Sequence, residues 1–229
     1  MSQDDRMQCL WQFYALSRNS DYLLLPFQSR PHEWSRPAVS RVEYVAFFEG
    51  LGFSAITAET ADSFSPFHHE VVKVEQSDDE NEPITVLDCV WPGFRFGEML
   101  FSRCGVIVYG GSQHIRKGVA ESSTLYFTHR RLNRPTNDLS MGWGSNSQWR
   151  TSIRLEYECA NQLFYNVDGK DALTLTTDAA SDRNGLTAEE RLELCRNRSF
   201  IRTARPDHDL WPFDDRYVER IDRAFRSNA

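Results

Sequence analysis

At 229 residues, with 40% hydrophobic and 13% aromatic side chains, the chain can bury a substantial apolar core in one domain, which excludes global disorder. A net charge of -7 opposes attraction to phosphate backbones and anionic lipid, so neither nucleic acid nor a membrane surface is an expected partner. Five widely spaced cysteines fit neither a disulfide framework nor a zinc knuckle, the first residues carry no secretory pattern, and no run of about 18 apolar residues occurs, which together predict a reduced, cytoplasmic setting.

In chain order, Met7, Leu10, Trp11 and Tyr14 recur at helical spacing and predict an amphipathic helix over Asp4 to Ser17. Pro26, Pro31 and Pro37 make the stretch from Leu23 to Pro37 a wrapping arm. A second helix is expected over Ala38 to Gly50, opened by Ser35 or Ser40, with Val42, Val45 and Ala46 as its buried stripe. Phe53 to Ala58 and His69 to Gln76 read as strands, and Ser77 to Pro83 as an exposed loop; Ile84 to Trp91 fits strand or helix. Val106, Ile107 and Val108 run together within Met99 to Tyr109, the pattern of a central strand covered on both faces. Thr124 to Arg131 is a further strand. Over Trp149 to Cys159, Ile153, Leu155 and Tyr157 alternate with Arg154, Glu156 and Glu158, predicting one core face and one wet face. Leu163 to Val167, Asp168-Gly169 and Ala172 to Thr176 read as a hairpin. Thr187 to Glu190 forms a capping box that starts a helix, and Tyr217, Val218, Ile221, Ala224 and Phe225 suggest a last helix over Asp215 to Phe225.

These elements predict a single α+β domain over 1–229: a twisted, mainly antiparallel sheet over 61–180, with helical parts over 1–60 and 181–229 packed on it. The most informative connection is Asn133 to Gln148, long, polar and rich in glycine. Gly142 and Gly144 let backbone amides turn toward a ligand, Ser140, Ser145, Asn146, Ser147 and Gln148 offer hydrogen bonds, and Trp143 a stacking face. Five arginines stand against one Asp138 between His129 and Arg154, a local basic site on an acidic chain.

Strand parity places His129 and Arg131 at the core rim beside that loop and turns Arg130 away, while Trp149 and Thr151 take the core face of the partner strand. The candidate site therefore has Arg131 as clamp for a small anionic ligand, Arg130 and Arg150 as flanking cations, and Trp143, Gly144, Asn146 and Trp149 as further ligand contacts. His129 is the candidate acid or base and Ser145 a weak nucleophile, since GSNS is not a nucleophile elbow. The alternative is that these side chains pin the loop to the sheet. Arg150 and Arg154, beside Glu156 and Glu158, read as ordinary surface ion pairs. His68 and Glu70 share a strand face, with His114 a possible third ligand, but no spacing supports a metal; Gly110-Gly111 lacks a following Gly-Lys-Ser/Thr, so no nucleotide or other cofactor is implied.

A second function class is an acidic interaction module, such as an inhibitor or immunity-type protein for a basic partner. Glu75 to Asp88 holds Glu75, Asp78, Asp79, Glu80, Glu82 and Asp88 with no Lys or Arg, and Asp207, Asp209, Asp214 and Asp215 form another acidic group. Trp91 to Gly97 is aromatic and turn-rich, a core filler or an interface.

Overall fold

The amphipathic repeat near the start forms α1 (Gln3–Leu23) in the computed structural model, which describes residues 3–28, 37–138, 153–174, 185–205 and 214–221. Met7, Leu10, Trp11 and Tyr14 are half-buried as the period requires, and Phe13 and Leu16 pack against an aromatic core. The helix runs past Ser17 because its polar last turn is buried through specific partners: the Ser20 hydroxyl lies 2.8 Å from that of Tyr44, and Asp21 pairs with Arg131. A 3-10 turn (Leu25–Phe27) follows, and part of the expected arm, 29–36, lies outside the described residues.

In α2 (Arg41–Gly50), Ser40 and Glu43 form a reciprocal capping box that satisfies free amides of the first turn. The stripe differs from the expected one. Val42 is 79% exposed and Ala46 is also exposed, whereas Tyr44 and Phe48 are fully buried. Aromatic burial outweighs that of the smaller side chains: Phe48 stacks on Phe94 at 4.5 Å and Tyr44 meets the same ring edge-on at 5.4 Å.

The strands β1 (Ser54–Ile56), β2 (His69–Gln76), β3 (Thr85–Trp91), β4 (Gly93–Phe96), β5 (Met99–Ser102) and β6 (Cys104–Gly110) follow. The ambiguous segment before Trp91 is thus a strand. β6 lies between parallel β2 and antiparallel β3, as its apolar run requires, with Val106 and Val108 inaccessible to solvent. Gly105 is obligatory there: a Cβ would stand 2.2 Å from the Trp91 indole.

A short α3 (Lys117–Ala120) leads to β7 (Leu125–Tyr126), which pairs in parallel with β8 (Thr136–Asn137). The strand expected to reach Arg131 ends at Tyr126, because Phe127 and Arg130 adopt left-handed φ values of 58° and 56° and break the period of two.

β9 (Glu156–Cys159), β10 (Gln162–Tyr165), β11 (Asp171–Ala172), α4 (Ala188–Asn197) and β12 (Asp215–Arg220) complete the chain. Thr187 caps α4 in the expected box. The last element is a strand over 215–220, not a helix: its burial alternates, and Tyr217 and Glu219 lie opposite Tyr165 and Leu163 of β10. Residues 222–225 lie outside the described residues. β12 also displaces the expected hairpin, since the sheet order is β1-β4-β5-β9-β10-β12-β11 and β11 pairs with β12 in parallel. The Asp168-Gly169 turn persists, and Gly169 permits a close approach in which a Cβ would lie 2.9 Å from the Asp215 backbone. The fold is α+β with mainly antiparallel sheets, and no helix among the described residues is long and apolar enough to cross a membrane.

Candidate functional site

Because the backbone turns at Phe127 and Arg130, the side chains of His129 and Arg131 do not present together at a sheet rim. Arg131 is an interior group with a side chain 5% exposed: its Nε and Nη2 donate to the two oxygens of Glu70 at 2.6 and 3.0 Å, and Nη1 donates to Asp21 at 2.7 Å. Burial alone would pull the guanidinium pKa down, but Glu70 and Asp21 push it above its ordinary value. Its charge is committed to joining α1 to β2, so it is not an anion clamp. Glu70, engaged by Arg131, and His68, whose Nε2 lies 2.9 Å from Glu158, do not converge on a shared metal position.

His129 is equally committed. Its Nε2 accepts from Arg130 Nε at 3.0 Å, and its pKa is lowered, first by burial and then by Arg18, which opposes the acid role assigned to it. Arg130 is held by that contact and lies over the Tyr22 ring at 5.6 Å. Trp143, Gly144, Ser145, Asn146, Trp149 and Arg150 lie outside the described residues.

The strongest electrostatic feature lies elsewhere, where the β5–β6 junction, the start of β9 and the end of α4 meet. Glu156, inaccessible to solvent at the centre of the sheet, faces three guanidiniums. Arg198 Nη2 donates to Oε2 at 2.7 Å, Arg103 Nη2 reaches both oxygens at 3.2 and 3.3 Å, and Arg154 Nε stands 2.7 Å from Oε1. Arg154 Nη2 also donates to the Cys195 carbonyl in the last turn of α4, where the helix dipole favours a cation, and its guanidinium lies over the Phe127 ring at 5.4 Å. The alternation that suggested a wet face for Arg154 and Glu156 is therefore overturned, because both are buried by charge pairing.

The charges in this cluster do not balance. Three cations meet one anion, and none of the three pairs with another carboxylate among the described residues. Arg103 Nε and Nη1, Arg154 Nη1 and Arg198 Nε are buried donors with no hydrogen-bond partner among the described residues. Burial raises the Glu156 pKa, yet Arg154, Arg198 and Arg103 outweigh it and hold the carboxyl down at about 2. The Arg198 guanidinium is pulled down to about 10, first by burial, with Arg103 and Arg154 adding repulsion.

A separate cleft of about 320 Å³ opens on the face of the three-stranded sheet that carries Ile107, between Phe27, Gln28, Leu132 and Asn133, with Lys73 and Lys117 at its walls. Two register slips leave Val72 and Val90 unpaired, and both line it. Gln28 ties the arm to the opposite wall by accepting from the Leu132 amide at 2.7 Å.

No family model, curated protein or solved structure matches the chain. Among the central groups of the cluster, Arg103, Glu156 and Arg198 were absent from the sequence-derived site. The available signal was Arg103 itself, the only charged residue in the run from Met99 to Tyr109 that otherwise reads as buried. A cation in such a run needs an interior partner.

Proposed function

We propose that the chain binds a small anion where Arg103, Arg154 and Arg198 converge on Glu156. One observation carries the reading: among the described residues, four buried guanidinium donors have no partner while three cations share one carboxylate. Leaving a buried donor unsatisfied costs about 1–3 kcal/mol, and an uncompensated buried ion several kcal/mol. An anion of up to two charges, phosphoryl or carboxylate, offsets both, and the guanidinium forks match either geometry. Arg154 also stands six residues beyond Gln148, the end of the polar, glycine-rich segment that the sequence marks for ligand contact, which favours this end of the fold. Five free cysteines are in keeping with a cytoplasmic setting.

Inorganic phosphate tests the reading by thermal denaturation in a chloride buffer of matched ionic strength. Saturation to about 100 times Kd stabilises the native state by about 2.7 kcal/mol. The melting point should then rise by roughly 5–10 °C. Equal melting points across phosphate, a dicarboxylate and chloride would overturn it.

A second reading, an acidic module for a basic partner, is favoured by the exposure of Glu75 on β2, Asp88 on β3, and Asp78, Asp79 and Glu80 in the connection between these two strands. The other acidic group contributes less, since Asp214 pairs with Lys170 and Asp215 is buried against Arg191; Asp207 and Asp209 lie outside the described residues. An association rate with a basic protein that falls steeply with salt would support this reading, and a salt-independent rate would count against it.

A further inference from the structure

Cys89 of β3 and Cys104 of β6 lie on the same face of the three-stranded sheet, in its apolar core. The pairing register slips between Cys89 and Trp91, and the two sulfurs stand 2.9 Å apart. That is within about 0.9 Å of the ~2.04 Å disulfide bond length. Arg41, in the first turn of α2, grips one of them: Nη2 lies 2.9 Å from the Cys89 sulfur and Nη1 donates to the Cys89 carbonyl at 3.2 Å. A structural core cysteine needs no cation at its sulfur, whereas a reactive one does.

We infer that Cys89 and Cys104 are a reversible thiol–disulfide pair oxidised by hydroperoxides, with Cys89 attacking, Cys104 resolving and Arg41 holding the attacking sulfur as thiolate. Exposure assigns the order, since Cys89 is 8% accessible and Cys104 0%. The Cys89 thiolate attacks one peroxide oxygen, the O–O bond breaks, and the leaving alkoxide or hydroxide takes up a proton, leaving Cys89 as sulfenic acid. Cys104 then attacks the Cys89 sulfur, the S–O bond breaks, and hydroxide departs with the Cys104 proton as water. Two thiols and one hydroperoxide give one disulfide, one alcohol (water from hydrogen peroxide) and one water. A dithiol reverses the oxidation by exchange.

The Trp91 carbonyl oxygen lies 3.4 Å from the Cys89 sulfur, and the groups that favour its thiolate are the Cys104 thiol from β6, the Arg41 guanidinium from α2 and the Ala58 backbone amide. Together, with the Cys104 contact foremost and against the opposing effect of burial, they lower its pKa to about 6. The Cys104 thiol is pushed up, chiefly because it donates to Cys89. Both shifts fit the assigned order. The resulting bond fastens β3 directly to β6 and removes the thiolate charge beside Arg41, which keeps its hydrogen bond to the Cys89 carbonyl. It uses none of the residues of the anion site.

The experiment oxidises the full chain with hydrogen peroxide, blocks remaining thiols by alkylation and maps peptides without reduction. The expected result is a Cys89–Cys104 cross-link reversed by dithiothreitol, with Cys9, Cys159 and Cys195 alkylated. Arg41→Gln should slow the reaction about tenfold near neutral pH, as the thiolate fraction falls. Cys104→Ser should trap Cys89 as a dimedone adduct. Oxidation confined to Cys9 or Cys159, or an Arg41→Gln protein oxidised at the wild-type rate, overturns the inference, and neither measurement depends on the folding of the Cys104 variant.

Discussion

Replacing Arg103 with methionine removes the least well held guanidinium of the buried cluster while nearly conserving side-chain volume. Among the described residues Arg103 contributes only the 3.2 and 3.3 Å contacts from Nη2, and two of its donors have no partner there. Losing a charged hydrogen bond costs about 1.5–3 kcal/mol, whereas removing two unsatisfied donors recovers about 1–3 kcal/mol each. Total cluster charge falls from +2 to +1 when three cations against one anion become two. The ligand-free variant should therefore be more stable by about 1 kcal/mol, raising the melting point by roughly 2–4 °C. Scanning calorimetry with and without inorganic phosphate checks both halves: the variant should melt higher than the wild type without the anion and respond weakly to it. A variant that melts several degrees lower and keeps the full phosphate response would refute the reasoning and leave Arg103 a structural partner of Glu156.

Glu156→Gln should act oppositely, because it leaves three buried guanidiniums without a counter-charge; urea titration should show a loss of about 3–5 kcal/mol, and an unchanged midpoint would contradict the cluster's electrostatics. Acid sensitivity should begin with His69, whose pKa is lowered to about 4, first by burial and then by His68. The unfolded chain takes up this proton through about pH 6.5 while the native state refuses it, so stability is complete above that pH and falls toward about pH 4. The loss at about pH 5 is about 2 kcal/mol. His69→Gln should flatten that limb between pH 7 and 5 in urea titrations. The Glu156 pKa is shifted in the same direction, so its contribution too is lost as the pH falls, but only from the ordinary carboxylate range toward about 2.

Local signals carried much of the fold. Helix α1, the cap of α4 and strand β2 follow directly from apolar spacing and capping residues, and the central place of β6 from its unbroken apolar run. What misled was periodicity without knowledge of partners. Tyr217, Val218 and Ile221 fit either a helix or a strand, and pairing with β10 decided between them. Arg154 and Glu156 looked wet because charge ordinarily means solvent, and only the approach of Arg103 and Arg198 from distant parts of the chain makes their burial affordable. His129 and Arg131 were misplaced by left-handed turns at Phe127 and Arg130, positions where neither residue type announces such a conformation. The chemistry of the proposed site is therefore long-range, and no local window contains it.

The position of β12 sets the order in which the seven-stranded sheet can be finished. β10 emerges from the ribosome some fifty residues ahead of the strand that covers its open edge, as Tyr165 pairs with Tyr217. β11 has no sheet neighbour other than β12 among the described residues. During synthesis the nascent chain must hold an uncapped strand edge, so binding of a chaperone to ribosome-stalled chains should persist until residue 220 has left the exit tunnel.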